Sequence, residues 1–233
     1  MTAETILSFI LAVVPAILAI TLHEAAHGYA AWALGDDTAK RMGRLSLNPL
    51  VHVDRVGTIL LPGFLLVSQL LTIGHVGFMF GWAKPVPVAA WSFRNPRRGM
   101  MIVAAAGPAM NFMLAWLAGL AAHGLALLPV SAGRPASEFL EDFILVNLVL
   151  GLFNLLPIPP LDGGRIIVGL LPERLAMGWA RIERFGILIV LLLVFLLPMA
   201  GRDLGFRFDP VHDGLDRVVP WAEDWVLYLS GNG

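Results

Sequence analysis

The sequence predicts an all-α polytopic membrane protein with about four transmembrane helices and a re-entrant hairpin that carries a small extended (β) segment. Of its 233 residues, 58% are hydrophobic and only 14% are charged, whereas an ordinary soluble domain is about 45–50% apolar and about 25% charged. Five long stretches are almost free of charged residues. The loops between them carry either a basic or an acidic excess, as expected of segments on the two sides of a membrane.

Four of the five stretches have the length and composition of single membrane spans. A helix needs about 20 apolar residues, with a range of about 17–25, to cross a bilayer. The N-terminus lacks a basic region before its apolar run, so we expect a retained first span rather than a signal peptide. The predicted spans are residues 5–34, 99–124, 140–157 and 182–200.

The stretch 56–83 differs from the other four, because glycines and a proline interrupt it. Its tail, 81–88, contains Pro85 and Pro87 and favours extended backbone. Irregular backbone at membrane depth persists only where it is buried in protein or lines a wet cavity. Basic residues flank the stretch on both sides, which predicts that both flanks are cytoplasmic. We therefore expect a re-entrant hairpin.

The remaining loops complete a single topology, with both termini outside. The 157–184 loop contains four arginines and is predicted inside, whereas the 125–142 loop has an acidic excess and is predicted outside. The chain divides into a membrane domain over residues 1–201 and an extramembrane or interfacial C-terminal tail over 202–233. Aromatic residues near the end of this tail favour a helix at the membrane interface: Trp221, Trp225 and Tyr228.

An HExxH motif ends the first predicted span, in Ile20-Thr-Leu-His-Glu-Ala-Ala-His27. His23 and His27 share one helical face, which lets both imidazoles bind one zinc ion while Glu24 deprotonates a water. HExxH also occurs by chance on soluble helices. Here an acidic residue at the centre of a span costs about 2.5–3.5 kcal/mol, which favours a function. The chain has no cysteine, so any zinc must use His, Asp or Glu.

A catalytic zinc site needs a third protein ligand and an open position. Glu138 and Glu141 lie in a loop predicted on the opposite side of the membrane. Asp162 has the better context, because it follows a helix end broken by prolines and precedes two glycines that let the chain turn. The candidates that topology leaves open are Asp162, His52, Asp54 and His75.

Two asparagines accompany these groups on the predicted cytoplasmic side. Asn111 closes the sequence Gly107-Pro-Ala-Met-Asn111, and Asn154 opens the sequence Asn154-Leu-Leu-Pro-Ile-Pro-Pro-Leu-Asp-Gly-Gly164. Each either bonds between helices, at about 0.6 kcal/mol on average, or lies beside a reacting carbonyl. The segment 81–88 is either a plain loop or an edge to which a peptide strand adds.

Together these motifs resemble the site-2 protease family of intramembrane zinc metalloproteases. The segments 43–52 and 81–88 are similar to its compact prokaryotic branch, and we expect neither a PDZ nor a CBS domain. The resemblance implies one Zn²⁺ per chain and regulated cleavage of transmembrane protein substrates near the cytoplasmic face of the cell membrane. It also implies the residue roles: His23, His27 and Asp162 as zinc ligands, Glu24 as the catalytic general base, and Asn111 and Asn154 at the substrate or its oxyanion.

Two other function classes compete with a protease. A zinc-binding membrane transporter would use the same ligands as a transit site, but would not need Glu24. An inactive protease-like membrane chaperone would not need an intact set of ligands and base. The net charge of −1 gives no electrostatic footprint for nucleic acid. We expect the lipid bilayer and transmembrane proteins as partners, and the sequence predicts no oligomeric state.

Overall fold

The structure is a computed structural model that describes residues 3–72, 74–75, 81–205 and 207–233. The described residues are mostly helical, with short 3₁₀ or π segments between several helices. The α-helices in chain order are α1 (Ala3–Ala33), α2 (Thr38–Arg41), α3 (Leu61–Thr72), α4 (Pro96–Ala122), α5 (Val130–Asn154), α6 (Asp162–Leu170), α7 (Glu173–Ile182), α8 (Gly186–Leu191), α9 (Leu197–Asp203) and α10 (Pro210–Ser230).

Three helical stretches among the described residues are long and apolar enough to cross a membrane: Arg55–Thr72, Pro96–Leu127 and Glu173–Arg202. The last two contain the predicted spans 99–124 and 182–200. The predicted spans 5–34 and 140–157 coincide largely with α1 and α5, which are helical but are not among the three. The count of four spans therefore stays a prediction.

The predicted hairpin begins as one continuous helix, Arg55–Thr72, whose first turns are π-helical. The side chain of Asp54 caps it by accepting hydrogen bonds from the Val56 and Gly57 N–H groups, at 3.0 and 2.7 Å. Part of the returning half, residues 73 and 76–80, lies outside the described residues, so the re-entrant path also stays a prediction.

The small β-segment expected in the hairpin is wrong for the described residues, which contain no strand. Residues 81–89 have no regular secondary structure. The N–H groups of Trp82 and Lys84 each donate one isolated hydrogen bond, to Gly57 O at 3.1 Å and to His52 O at 2.8 Å. The next N–H on the same edge, that of Val86, donates to the Glu24 carboxylate at 3.1 Å instead of to a neighbouring backbone, so no ladder continues.

Helix α4 lies at the centre of the molecule and packs against α1, α5 and α6. Small residues line these contacts: Ala19 and Ala31 of α1 are fully buried, and Ala104 and Gly107 of α4 are buried as well. Small side chains let helix backbones approach closely, as is common between membrane helices. This close approach brings the polar residues of the three neighbouring helices onto α4.

Helix α10 packs one apolar face against α4 and α5. Val219, Ala222 and Val226 are buried there against Ala115 and Leu148. The aromatic residues Trp221, Trp225 and Tyr228 stay exposed. The predicted C-terminal helix is thus present, while its place at a membrane interface and the domain boundary after residue 201 stay predictions.

Candidate active site

Three polar side chains from distant parts of the chain converge at one point. His23 and His27 come from successive turns of α1, and Asp162 is the first residue of α6. The two Nε2 atoms are 3.1 Å apart, and Asp162 Oδ2 lies 3.1 Å from the first and 3.4 Å from the second. Within the described part of the chain, this is the group that could hold a metal ion.

The geometry of this triangle fits a zinc ion. Ligand atoms at about 2.0–2.1 Å from a tetrahedral zinc lie about 3.3 Å from one another, close to the three distances here. His27 Nδ1 is 2.7 Å from Val103 O, which only accepts, so this nitrogen carries the hydrogen and Nε2 presents its lone pair. Asp162 Oδ2 is buried and has no hydrogen-bond donor among the described residues. Such electron-rich atoms facing one another are stable around a cation.

Gly107 of α4 forms one wall of this site. A Cβ at this position would lie 2.5 Å from His27 Cε1 and 2.6 Å from His23 Nε2. These distances are far below the usual carbon contact of about 3.5–4.0 Å. The absence of a side chain at Gly107 therefore lets α4 pack directly on both imidazole rings.

A tight turn after α5 places Asp162. A Cβ on Gly163 would lie 2.2 Å from Leu155 O, and one on Gly164 would lie 2.6 Å from Pro159 N. Only glycine fits at either position, so the chain folds back on the end of α5 and starts α6 with Asp162 facing α1.

Glu24 lies beside the two histidines on α1 and faces the irregular segment 81–89. Its Oε2 accepts a hydrogen bond from the Val86 N–H at 3.1 Å. Val86 is buried, and Glu24 is half-buried. The segment therefore passes directly along the carboxylate that sequence reasoning assigned as the base.

Two further charged residues hold the segment 81–89 in place. Asp36 is 1% exposed, and its Oδ2 accepts from the Ala89 N–H at 2.6 Å. Burial raises the pKa of the Asp36 carboxyl, but hydrogen bonds from Thr38 and Ala89 lower it to below its ordinary value. Arg44, also buried, donates to Lys84 O at 2.7 Å.

The two predicted asparagines have different contacts in the structure. Asn111 is fully buried, and its Oδ1 lies 2.6 Å from His23 Nδ1. Its Nδ2 donates to Asn147 Oδ1 at 2.9 Å. Asn154 instead donates to Leu150 O of its own helix at 3.0 Å. Asn111 thus contacts the first predicted ligand directly, and the described contacts do not bring Asn154 to it.

Three other residues considered as a third ligand bond elsewhere, and His75 does not belong to the group that could hold a metal. His52 Nε2 lies 2.8 Å from Ser46 O, and Asp54 caps the helix that follows it. Glu138 pairs with Arg134 at 2.9 Å on the surface of α5. The group that could hold a metal includes none of these residues.

Sequence reasoning did not single out Asn147, Asp36 or the carbonyl of Val103. Asn147 is fully buried in α5 and bonds to Asn111. The available signal was a carboxamide inside a stretch without any ionisable group, where a polar side chain is costly unless it finds a partner.

Known proteins resemble the chain over most of its length. The model of Peptidase family M50 matches residues 129–197, a range that contains Asp162. The "Putative zinc metalloprotease YwhC" of Bacillus subtilis (strain 168) is 42% identical over 206 residues, which cover 82% of this chain and 87% of that protein. No solved structure matches the chain significantly.

Two mycobacterial proteins that carry the name "Putative zinc metalloprotease Rip2" are similar as well. The Mycobacterium tuberculosis (strain ATCC 25618 / H37Rv) protein is 32% identical over 224 residues, which cover 96% of this chain and 75% of that protein. The Mycolicibacterium smegmatis protein is 32% identical over 202 residues, which cover 83% and 70%. The likeness therefore extends across both the HExxH motif and the Asp162 region.

Proposed function

Because the chain belongs to Peptidase family M50, the site-2 protease family, we propose that it is an intramembrane zinc metalloendopeptidase that hydrolyses peptide bonds in transmembrane segments of other membrane proteins. That the chain is a zinc metalloprotease of site-2 type follows from the family. The intramembrane substrate, the residue roles and the cytoplasmic side are the proposal. The convergence of His23, His27 and Asp162 next to Glu24 is the observation that carries it.

In the proposed site His23 and His27 would hold one zinc ion through Nε2, and Asp162 would hold it through Oδ2. When bound, zinc acts as a Lewis acid that polarises a carbonyl and makes water acidic near neutral pH. Glu24 accepts the proton of the attacking water and returns it to the leaving amine nitrogen. The Val86 N–H orients the Glu24 carboxylate for this task.

The proposed roles of the two asparagines are unequal. The side-chain oxygen of Asn111 already bonds to His23, and its nitrogen donates to Asn147. This arrangement favours a role in orienting His23 over one at the oxyanion. Asn154 bonds within its own helix and would have to change rotamer to reach a substrate. We keep substrate contact as the proposal for Asn154 only.

The substrate must present an unwound peptide to the site, because a transmembrane helix hides its carbonyls in its own hydrogen bonds. Substrates with Gly, Pro or Asn near the cleavage point should be favoured. The segment 81–89 lies beside Glu24 without regular structure. An unwound substrate could add along such a segment as an extended strand.

The proposed location is the cell membrane, with the active site toward the cytoplasm. The parts of the chain next to the site, which follow α1, precede α4 and form α6, are rich in basic residues. These include Arg44, Lys84, Arg97 and Arg165. Cytoplasmic loops of membrane proteins carry such an excess of Lys and Arg.

Replacing the base tests the proposed function directly. Glu24→Gln should keep zinc and lose peptide cleavage by at least about 100-fold, because general-base catalysis contributes about 10²–10⁴. The purified variant would be assayed in lipid vesicles for zinc content and for cleavage of a transmembrane peptide. Glu138→Gln, which removes a surface carboxylate on α5, is the matched control and should cleave normally.

Cleavage by purified Glu24→Gln at the wild-type rate would contradict the assignment of the base. If both wild type and variant moved zinc across vesicles without cleaving peptide, a transporter would replace the protease. Comparing membrane proteomes of cells with wild-type protein and with Glu24→Gln would identify accumulating substrates.

A further inference from the structure

Two fully buried carboxamides lie back to back between α4 and α5. Asn111 and Asn147 are both 0% exposed, and Asn111 Nδ2 donates to Asn147 Oδ1 at 2.9 Å. Asn147 has no part in the mechanism above and does not reach the metal ligands itself. A buried amide must nevertheless bond, since an unsatisfied polar group inside a protein is costly.

We propose that Asn147 is a positioning residue that acts through Asn111 to hold His23 in the tautomer whose Nε2 is free to bind zinc. The inference rests on the proposed zinc site and deepens it. It assigns a role to a residue of α5, which holds neither histidine.

The direction of the hydrogen bonds follows from one carbonyl group. Asn147 Nδ2 lies 2.8 Å from Phe143 O, which can only accept, so the amide nitrogen of Asn147 must face it. The Asn147 oxygen then faces Asn111, and the Asn111 group nearest to it must be the nitrogen donor. The Asn111 oxygen therefore faces His23 Nδ1 at 2.6 Å.

This chain of bonds determines where the hydrogen of His23 resides. Because the Asn111 oxygen only accepts, His23 Nδ1 must carry the hydrogen, and Nε2 then presents its lone pair. The other His23 tautomer, with the hydrogen on Nε2, would require the Asn111 amide to flip so that its nitrogen faces Nδ1. It would place two carboxamide oxygens 2.9 Å apart in a buried space.

The two histidines are thus oriented by the same kind of group over different distances. For His27 the carbonyl of Val103 acts directly, at 2.7 Å. For His23 the carbonyl of Phe143 acts through two amides. Asn111 Nδ2 also lies 3.5 Å from Ala19 O, at the limit of a hydrogen bond, so the stronger constraint on Asn111 comes from Asn147. Outer partners of metal-binding histidines commonly set the tautomer in this way.

The test measures zinc affinity and histidine tautomer, neither of which needs activity. Asn147→Leu removes the amide while roughly keeping the volume of the side chain. If this variant does not fold, Asn147→Ala removes the same amide and replaces it in the test. Asn147→Asp keeps an oxygen acceptor for Asn111. Leu148→Ala removes the neighbouring, equally buried side chain and controls for lost packing.

Each full-length variant would be purified in detergent, and its zinc affinity measured by competition with a chromophoric chelator. Asn147→Leu should bind zinc about tenfold more weakly, at the lower end of the 10–100-fold range for outer partners of metal ligands. Asn147→Asp should bind zinc with most of the wild-type affinity. Leu148→Ala should lower the thermal stability but leave the zinc affinity unchanged. In ¹⁵N-histidine spectra of zinc-free protein, His23 should show Nδ1–H in wild type and a tautomer mixture in Asn147→Leu.

Wild-type zinc affinity and an unchanged His23 spectrum in Asn147→Leu or Asn147→Ala would overturn the inference. Equal weakening by Leu148→Ala would overturn it too, since packing would then explain the effect. Asp162→Ala separates the two levels of the proposal. If Asp162→Ala also bound zinc like wild type, the proposed ligand set would be wrong; if it alone lost zinc, only the role of Asn147 would fail.

Discussion

At the scale of single residues, the candidate active site depends on a position without a side chain as much as on the candidate ligands. Gly107 lies against both imidazole rings, and a Cβ there would come within 2.5 Å of His27 and 2.6 Å of His23. Because both histidines are also bonded to α4, through Val103 O and Asn111, neither ring can move away without breaking a hydrogen bond. Gly107 thus contributes space that no other residue type provides.

We predict that Gly107→Ala weakens zinc binding by at least about tenfold, as expected when the orientation of metal ligands is disturbed, and lowers cleavage with it. Chelator competition and peptide cleavage would measure both effects. Gly133→Ala is the matched control, because a Cβ on this helical glycine of α5 would meet no atom within 4 Å. Normal zinc binding by Gly107→Ala would show that the rings can shift at no cost.

At the scale of elements, the segment 81–89 is held by side-chain contacts rather than by a ladder. Its N–H groups reach Glu24 at Val86 and Asp36 at Ala89, while Arg44 holds the carbonyl of Lys84. Each contact joins the segment to α1 or to the chain just beyond it. A loop fixed at several points in this way keeps an extended shape without a neighbouring strand, because its backbone groups are satisfied by other partners.

We predict that Asp36→Ala loosens this segment without removing zinc. The buried Ala89 N–H loses its acceptor, at a cost of about 1–3 kcal/mol in the free energy of unfolding. Hydrogen exchange at residues 86–89 should accelerate, cleavage should fall, and zinc content should stay unchanged. Asp37→Ala is the control, since the exposed Asp37 pairs with Arg41 at the surface and does not touch the segment in the described contacts. Unchanged exchange at Ala89 in Asp36→Ala would contradict this role.

Acidification should act on the same contact with a defined sign. The pKa of Asp36 is lower in the folded chain than its ordinary value, chiefly because hydrogen bonds from Thr38 and Ala89 outweigh the effect of burial. The stability it contributes is therefore fully present above the unfolded pKa of about 3.9 and is lost as the pH falls through the lower folded value.

At the scale of the whole molecule, the proposed zinc site joins segments that are far apart in the chain. It ties α1 to the start of α6, and the Asn111–Asn147 pair ties α4 to α5 around it. A zinc ion that binds only the folded arrangement stabilises it by mass action, by about 2.7 kcal/mol at a hundredfold excess over Kd. Its removal leaves two imidazole lone pairs and a buried carboxylate facing one another.

We predict that a chelator lowers the Tm by about 5–10 °C, from that free energy and about 2–4 °C per kcal/mol for a chain of this size. Differential scanning fluorimetry in detergent would measure the shift, and added zinc should reverse it. Asp162→Ala should have a low Tm that the chelator does not change. A chelator-independent Tm in wild type would mean that zinc does not join these helices.

The family, the zinc cofactor and the protease activity, all inferred first from motifs, are confirmed by the comparisons. The helical fold class is confirmed more coarsely, since three stretches among the described residues qualify as spans. The expected β-segment is absent from the described residues, because backbone groups of residues 81–89 bond to the side chains of Glu24, Asp36 and Arg44 rather than to a neighbouring strand.

The sequence by itself determined the features that depend on local spacing: the apolar runs, and the two histidines on one face of a helix with Glu24 beside them. Helix periodicity places such residues together whatever the rest of the chain does. Tertiary structure alone decided which of Asp162, His52, Asp54 and His75 meets the histidines, and which side chain bonds to His23 Nδ1. Those contacts join residues 88 positions apart for His23 and Asn111, and farther apart still for His23 and Asp162. They arise from the packing of α1, α4, α5 and α6. The membrane topology predicted from the sequence is compatible with this packing but does not specify it.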